Sequence, residues 1–257
     1  MSRVSEAIIL AAGQGKRLWA SNNGTAKCLT TVGDATLIEH QIRMLRSLGI
    51  QRVIVVIGHE GDAVREIAGP DCVFVENEDY AKTNSLYSLW LARNAVTGPF
   101  VLMNCDVLAH PEILTRIIEQ YGAALAFDSR SGADPEEMKV DVRDGMLHAI
   151  SKQMETEQTC GENVGILRFD AVDAQELFRQ AEQILSKGQI MHWAPAAVGM
   201  LGRIRPVRCV DIAGLDWIEI DFPEDLDRAR NIVWPVIAKH INDANSKVSA
   251  AASVTAG

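Results

Sequence analysis

The chain has 257 residues, 47% of them hydrophobic, enough for one large α/β domain or two small ones with a full core. Thirty-four acidic residues against 25 basic ones leave a formal charge of −9, which argues against a general nucleic-acid binder and requires any anion site to be local. The five cysteines, Cys28, Cys72, Cys105, Cys160 and Cys209, are odd in number and form no C-x-x-C, so neither a disulfide framework nor a zinc site is indicated and a reducing cytoplasm fits.

In chain order, residues 7–12 (AIILAA) predict a buried strand. The run is too short for a membrane span and, between Glu6 and Gly-Gln-Gly-Lys-Arg, unlike a signal peptide, so a soluble, unexported, cytoplasmic protein is expected. Residues 36–49 place Ile38, Ile42 and Leu45 on one helical face and stop at Gly49; residues 51–58 (QRVIVVIG) are a β-branched strand, completing a βαβ unit. The alternation continues with a short helix at 61–69, a strand at 72–77, a helix at 83–95, a strand at 99–106 and a helix from Pro111 to about Gln120. It implies one α/β domain over 1–243 built on a doubly wound, mostly parallel sheet. After a strand at 123–129 the rhythm changes: residues 138–151 hold two alternating segments about Asp144-Gly145, the signature of an inserted antiparallel hairpin. A strand at 162–169, a helix at 174–186, strands at 205–212 and 216–221 and a helix from Pro223 to about His240 follow. Residues 244–257, without large apolar anchors, read as a disordered tail.

The loop at 13–18 (GQGKRL) raises the question of chemistry. Glycines after a strand let the backbone approach phosphate oxygens, and the amides of such a turn form an anion-binding nest, although an ordinary strand-to-helix turn has the same composition. Two familiar phosphate motifs fail. A dinucleotide fingerprint needs glycine where Leu18 stands, and a Walker A loop needs Gly-Lys-Ser/Thr where the chain has Gly15, Lys16 and Arg17. The arrangement does resemble the L-A-A-G-x-G-x-R-L signature of sugar-phosphate-type nucleotidyltransferases, carried by Leu10, Ala11, Ala12, Gly13, Gly15, Arg17 and Leu18. Lys27 in AKCL matches that family's later lysine, with Ala26 and Cys28 where the family commonly has proline and its neighbour. The resemblance extends to NCDV at 104–107, the hairpin at 138–152 and DWIEIDFPEDLDRAR at 216–230. YAKTNSLYSLWLA and EIDFPEDL are most similar to the phosphocholine and phosphonate cytidylyltransferase branch, which has relatives acting on inositol phosphate. The resemblance implies a Rossmann-like nucleotidyltransferase fold and an enzyme joining CTP to a small phosphorylated alcohol or phosphonate, phosphocholine and aminoethylphosphonate among them, with release of pyrophosphate.

That reaction brings two anions together and spreads negative charge over the attacked α-phosphate and the departing pyrophosphate, so cations are required at both. The resemblance places Arg17 and Lys16 beside the β- and γ-phosphates, Lys16 being equally readable as a solvated loop charge, and Lys27 at the α-phosphate. It makes Asp106 and Asp221, each ending an apolar strand, ligands of Mg²⁺, the expected cofactor, although a lone aspartate there also caps helices. For the nucleotide it points to the strand-loop stretch from Leu10 through Ala11, Ala12, Gly13 and Gly15, and to Asn84 and Ser85, Asn84 being an equally good helix cap. For the acceptor it points to Lys152, with Lys139 second, and to Glu162 and Asn163, which strand-edge polarity explains as well. Trp193 and Trp217 are faces for a cationic head group or ordinary apolar cover. No nucleophilic side chain is needed, because the acceptor is already ionised; Cys105 reads as a core residue and His192 as a surface histidine.

The expected partners are CTP or another nucleoside triphosphate and a small acceptor, with neither nucleic acid nor membrane; a homodimer is left open. A hexose- or inositol-phosphate nucleotidyltransferase using another triphosphate is the nearest alternative. A non-catalytic nucleotide-binding relative would keep the fold and lose the charged set Arg17, Lys27, Asp106 and Asp221. A retaining glycosyltransferase would require an acid at Leu108 for its Asp-x-Asp, and molybdopterin nucleotidyltransferases, which share the opening signature, match the hairpin and closing segment poorly.

Overall fold

The computed structural model of the protein describes residues 4–22 and 24–243; the expected tail at 244–257 lies outside the described residues. Strand β1 (Glu6–Ala11) is followed by helix α1 (Leu37–Ser47), β2 (Arg52–Ile57), α2 (Gly61–Ala68), β3 (Cys72–Glu76), α3 (Ser85–Leu91) and β4 (Phe100–Asn104). Helix α4 (Pro111–Ile118) leads to β5 (Ala123–Asp128), β6 (Lys139–Arg143), β7 (Met146–Ser151) and β8 (Gly161–Phe169). Helices α5 (Ala171–Leu185) and α6 (Pro195–Gly202), strand β9 (Val207–Asp211) and helix α7 (Pro223–Arg228) complete the main elements.

The strands form one sheet in the order β3-β2-β1-β4-β8-β5-β9-β7-β6. The first four pair parallel, as their crossover helices dictate. The expectation of a mostly parallel sheet fails in the second half, and the sheet is mixed. Strand β8 lies between β4 and β5 and runs antiparallel to both, β7 runs antiparallel to β6 and β9, and β5 and β9 pair parallel. The reason is connectivity: β6, β7 and β8 succeed one another through loops with no crossover helix, and a parallel neighbour requires one. The β6–β7 turn puts Asp144 (φ 50) and Gly145 (φ 72) in the left-handed region, as a tight hairpin needs. The C-terminal helix also differs from the single run expected, since a wider π turn at Ala229–Val233 separates α7 from a helix at 234–243.

Burial explains why these segments are strands. Along β1, Ala7, Ile9 and Ala11 enter the core on one face while Ile8 and Leu10 enter it on the other, so the run is continuously apolar rather than alternating. Ile38, Ile42 and Leu45 of α1, Val64 of α2 and Ile113 and Ile117 of α4 cover the first face. Leu86 and Leu89 of α3, Leu177 and Ile184 of α5 and Val198 of α6 cover the second, giving three layers. Helix α6 and a short antiparallel pair, Val107–Ala109 with Trp217–Glu219, were not anticipated from the sequence; the pair brings the closing segment alongside the end of β4.

Candidate active site

The carboxyl ends of β1 and β4 open into a cleft of about 410 Å³. At its glycine loop, Gly15 has φ 60, and a Cβ there would stand 2.9 Å from the Cβ of Lys27, so glycine is what lets the loop fold against that lysine. A Cβ on Gly13 would meet no atom within 4 Å, which leaves that backbone open to the cleft. Lys27 begins a short turn flanked by buried Ala26 and Cys28. The Ala26 amide donates to Glu60 Oε2 at 2.5 Å, so a hydrogen bond that proline has no N–H to make anchors this loop.

Asp106 is fixed from both sides. The buried Gln41 of α1 donates to the carbonyls of Asn104 (2.8 Å) and Val107 (2.9 Å), and the Asp106 carbonyl accepts from the Ile220 amide at 3.0 Å. That last bond brings Glu219 and Asp221, two residues apart on an extended segment, to Asp106. One carboxylate oxygen from each of the three lies within 4.8 Å of the others. Lys27 Nζ stands 2.8 Å from Asp106 Oδ2 and also bonds Asp221 Oδ1. Arg17 reaches the other Asp221 oxygen at 3.3 Å and Glu136 at 3.0 Å. Lys152 shares Glu136 at 3.7 Å and stands 5.3 Å from the Trp193 ring centroid.

Burial opposes the charge on Lys27, but Asp106 and Asp221 outweigh it and raise its pKa above that of an ordinary lysine. Burial likewise tends to raise Asp221, and Lys27 followed by Arg17 overcomes it, holding the carboxyl below its usual range. Burial, then the charges of Asp106 and Asp221, push Glu219 up to about 8. The cluster therefore carries more negative charge than Lys27 neutralises, and the buried Asp106 Oδ1 has no hydrogen-bond partner. A hard, all-oxygen donor set with an orphaned carboxylate oxygen suits Mg²⁺, which takes one or two carboxylates together with substrate phosphates.

Of the residues singled out in the sequence, Leu10, Ala12, Gly13, Gly15, Lys16, Arg17, Lys27, Asn84, Ser85, Asp106, Lys152, Asn163, Trp193 and Asp221 line this cleft. Ala11 does not, because strand alternation turns it to the opposite face of β1. Glu162 is buried, accepts from Ser131 at 2.6 Å and lines an adjoining cavity that meets the cleft at Glu136, Glu219 and Asp221. Trp217 lines that same cavity, its indole N–H donating to Asp128 at 3.0 Å, so Trp193 and Trp217 are not two walls of one cage. Lys139 is also outside the cleft and supports it, donating to the Lys152 carbonyl at 3.1 Å. Asn84 is the cap of α3, accepting from the Ser85 amide at 2.8 Å, while Ser85 Oγ accepts from the Ala194 amide at 2.9 Å and ties the segment bearing Trp193 to that helix. A hydrogen bond with Cys28, and then burial, keep the Cys105 thiol well above its ordinary pKa and unreactive.

Glu219 and Glu136 were not singled out. Glu219 had a signal, its spacing of two from Asp221 in a strand-like segment; Glu136 lies in a loop without periodicity, where no local pattern distinguishes it.

Over residues 7–192 the chain matches a family described as the MobA-like NTP transferase domain. It is 26% identical over 247 residues to the bifunctional IPC transferase and DIPP synthase of Aquifex aeolicus, covering 93% of this chain and 54% of that protein. To the CMP-5'-(3-aminopropyl)phosphonate synthase of Streptomyces rubellomurinus it is 29% identical over 240 residues, covering 87% of this chain and 38% of that one. The chain thus spans only about half, or less, of these relatives' length. In fold it is similar to the inositol-1-phosphate CTP transferase from T. maritima, with a TM-score of 0.75, 22% identity and coverage of 90% of this chain and 98% of that one. Among the described residues no helix is long and apolar enough to cross a membrane. Because the match spans more than half of its length, the chain belongs to the MobA-like NTP transferase domain family.

Proposed function

We propose that the protein is a Mg²⁺-dependent cytidylyltransferase that joins CTP to a small phosphorylated alcohol or phosphonate and releases pyrophosphate. The main support is one arrangement: Lys27 held between Asp106 and Asp221 against a glycine loop, with a second cation, Lys152, lining the same cleft. The choice of CTP draws on the names of the two proteins above that make a CMP-phosphonate and transfer CTP.

In this reading Asp106 and Asp221, with Glu219, hold Mg²⁺, which when bound neutralises triphosphate oxygens without proton transfer. Lys16 and Arg17 screen the β- and γ-phosphates, and Lys27 screens the α-phosphate as charge develops there. Lys152 orients the acceptor, whose ionised oxygen forms a bond to the α-phosphorus as the α–β bridging P–O bond breaks. No general base is needed. The face of Trp193 is already met by the Lys152 ammonium and Trp217 lies elsewhere, so an aminoalkyl phosphonate or polyol phosphate held by hydrogen bonds suits the cleft better than a quaternary ammonium does. The five free cysteines suit a reducing cytoplasm. Pyrophosphate release should be measured for CTP, UTP, ATP and GTP against aminoethylphosphonate, phosphocholine, inositol phosphate and hexose 1-phosphates. The expected best pair is CTP with aminoethylphosphonate or inositol phosphate, ahead of phosphocholine; UTP or ATP with a hexose 1-phosphate overturns the assignment.

A further inference from the structure

Asn77, just beyond β3, is 1% exposed and lines the cleft. The orientation of its amide follows from its partners. The Thr83 hydroxyl donates its hydrogen to the Asp79 carbonyl at 2.9 Å, so toward Asn77 it is an acceptor, and the Asn77 atom 3.1 Å from it is the donor Nδ2. The second Nδ2 hydrogen goes to Ser88 Oγ at 3.0 Å. Both donors are spent within the protein, and Oδ1 is left buried without a partner, which a fold does not maintain cheaply. Ser88, buried on α3 and also in the cleft lining, accepts from Asn77 and keeps its own hydrogen to give.

We propose that Asn77 Oδ1 accepts the exocyclic amino group of the nucleotide's base and that Ser88 Oγ donates to the adjacent ring nitrogen, so that this pair selects cytosine over uracil. The inference rests on the CTP reading above and adds the residues that discriminate the base. Cytosine offers an amino donor beside an unprotonated ring nitrogen; uracil offers a carbonyl and an N–H at the same places, so both contacts are reversed. The Asn77 amide does not turn over to suit uracil, because that aims Oδ1 at Thr83, whose hydrogen is committed to Asp79. Its backbone is pinned as well: the Asn77 amide donates to the Ile57 carbonyl at 2.8 Å and its carbonyl accepts from the Tyr80 amide at 3.3 Å.

The test compares kcat/KM for CTP, UTP and the triphosphate of pyrimidin-2-one riboside, which lacks the amino group, in wild type, Asn77→Ala, Asn77→Asp and Ser88→Ala, with thermal melting as the check on folding. Wild type should prefer CTP over the amino-free analogue by about tenfold or more, and Asn77→Ala should bring the ratio to about twofold or less. Asn77→Asp, which still presents an oxygen acceptor, should keep the preference for CTP. Should Asn77→Ala fail to fold, Ser88→Ala carries the test, with a fall in the CTP-to-UTP ratio of about threefold or more. A wild type that prefers CTP while the folded alanine variants keep its ratios overturns this inference alone; a wild type that prefers UTP or ATP overturns the CTP reading and this inference together.

Discussion

Replacing Lys27 with methionine keeps the length of the side chain and removes its charge. The side chains of Lys27, Asp106 and Asp221 are 12%, 17% and 26% exposed, so the ion pairs they form are largely shielded from water. Without the lysine, three carboxylates with oxygens within 4.8 Å face one another with only the half-exposed Arg17, on Asp221, to offset them. Breaking a buried pair costs about 3–5 kcal/mol. Glu219, already pushed up to about 8, relieves part of this by holding a proton, which brings the expected loss to about 2–3 kcal/mol. In a chain of 257 residues that is a fall of roughly 4–12 °C in melting temperature in EDTA. Excess Mg²⁺ should restore more of the melting temperature in the variant than it adds to wild type, because it supplies the missing charge. Turnover should not be rescued: the lysine's charge is needed at the attacked phosphorus, so kcat should stay down by about 10²–10³ while KM for CTP moves by less than about threefold. A variant that melts within about 1 °C of wild type in EDTA, or that turns over at the wild-type rate, refutes the reasoning.

Asp106→Asn and Asp221→Asn should each lower kcat by about 10²-fold or more in saturating Mg²⁺, and chelation should abolish turnover in wild type; pyrophosphate release in EDTA counts against the metal assignment. Trp193→Leu should raise KM for the acceptor, whereas Trp217→Leu should leave that KM unchanged and lower the melting temperature, because its indole bond to Asp128 lies outside the cleft; a raised acceptor KM in Trp217→Leu contradicts this placement. Burial, with repulsion from Glu137 and Asp128, outweighs the Ser131 bond and raises Glu162 from 4.5 to about 7, so the folded state keeps a proton that the unfolded chain releases and stability is lost as pH rises through that interval. Glu162→Gln should therefore melt above wild type at pH 8, by at most about 3 kcal/mol of stability, and level with it near pH 4.5; an equal difference at both pH values refutes the assignment.

The first half of the fold was legible because β1, β2, β3 and β4 are apolar runs joined by helices with clear periodicity, and a helix between two strands forces parallel pairing. Strand β8 was recognisable as a strand but not as an antiparallel one. All nine of its residues are buried, Glu162, Asn163 and Arg168 among them, and a strand buried on both faces reads the same whichever way its neighbours run. Its place between β4 and β5 is a long-range outcome that no local pattern in Gly161–Phe169 encodes. The cleft divides along the same line. Gly15 lies in the glycine loop, Lys27 in the short turn that packs against it and Asp106 just past a strand end, where spacing along the chain translates into position. The side chain of Ala11 faces the core: a motif reads letters consecutively, while a strand presents alternate ones to alternate faces. The choice between the two readings of Trp217 was not legible, because its register opposite Ala109, and hence its contact with Asp128, is set by a strand more than a hundred residues away.

A chain with a formal charge of −9 needs some means of keeping cations ready for a triphosphate, and in the proposed function Glu136 provides it. This carboxylate bridges Arg17 at 3.0 Å and Lys152 at 3.7 Å, one cation assigned to the nucleotide and the other to the acceptor. The Arg17–Glu136 pair is 49% and 55% exposed, and such pairs are worth less than about 1 kcal/mol, so phosphate oxygens displace the carboxylate at little cost. The Lys27 pairs are largely shielded from water and are not exchanged in this way; there added metal, not displacement, neutralises the acids and leaves the lysine free to face the α-phosphate. The two ends of the cleft should therefore respond differently to charge removal. Glu136→Gln releases Arg17 and Lys152 from competition, and calorimetric titration with CTP should show a Kd lowered by about two- to fivefold at low ionic strength, the gain shrinking as salt screens exposed charges. Weaker binding in Glu136→Gln means that the carboxylate positions the cations rather than competing for them. A gain that persists undiminished in high salt places the effect outside the exposed pairs, and either result ends this account of Glu136.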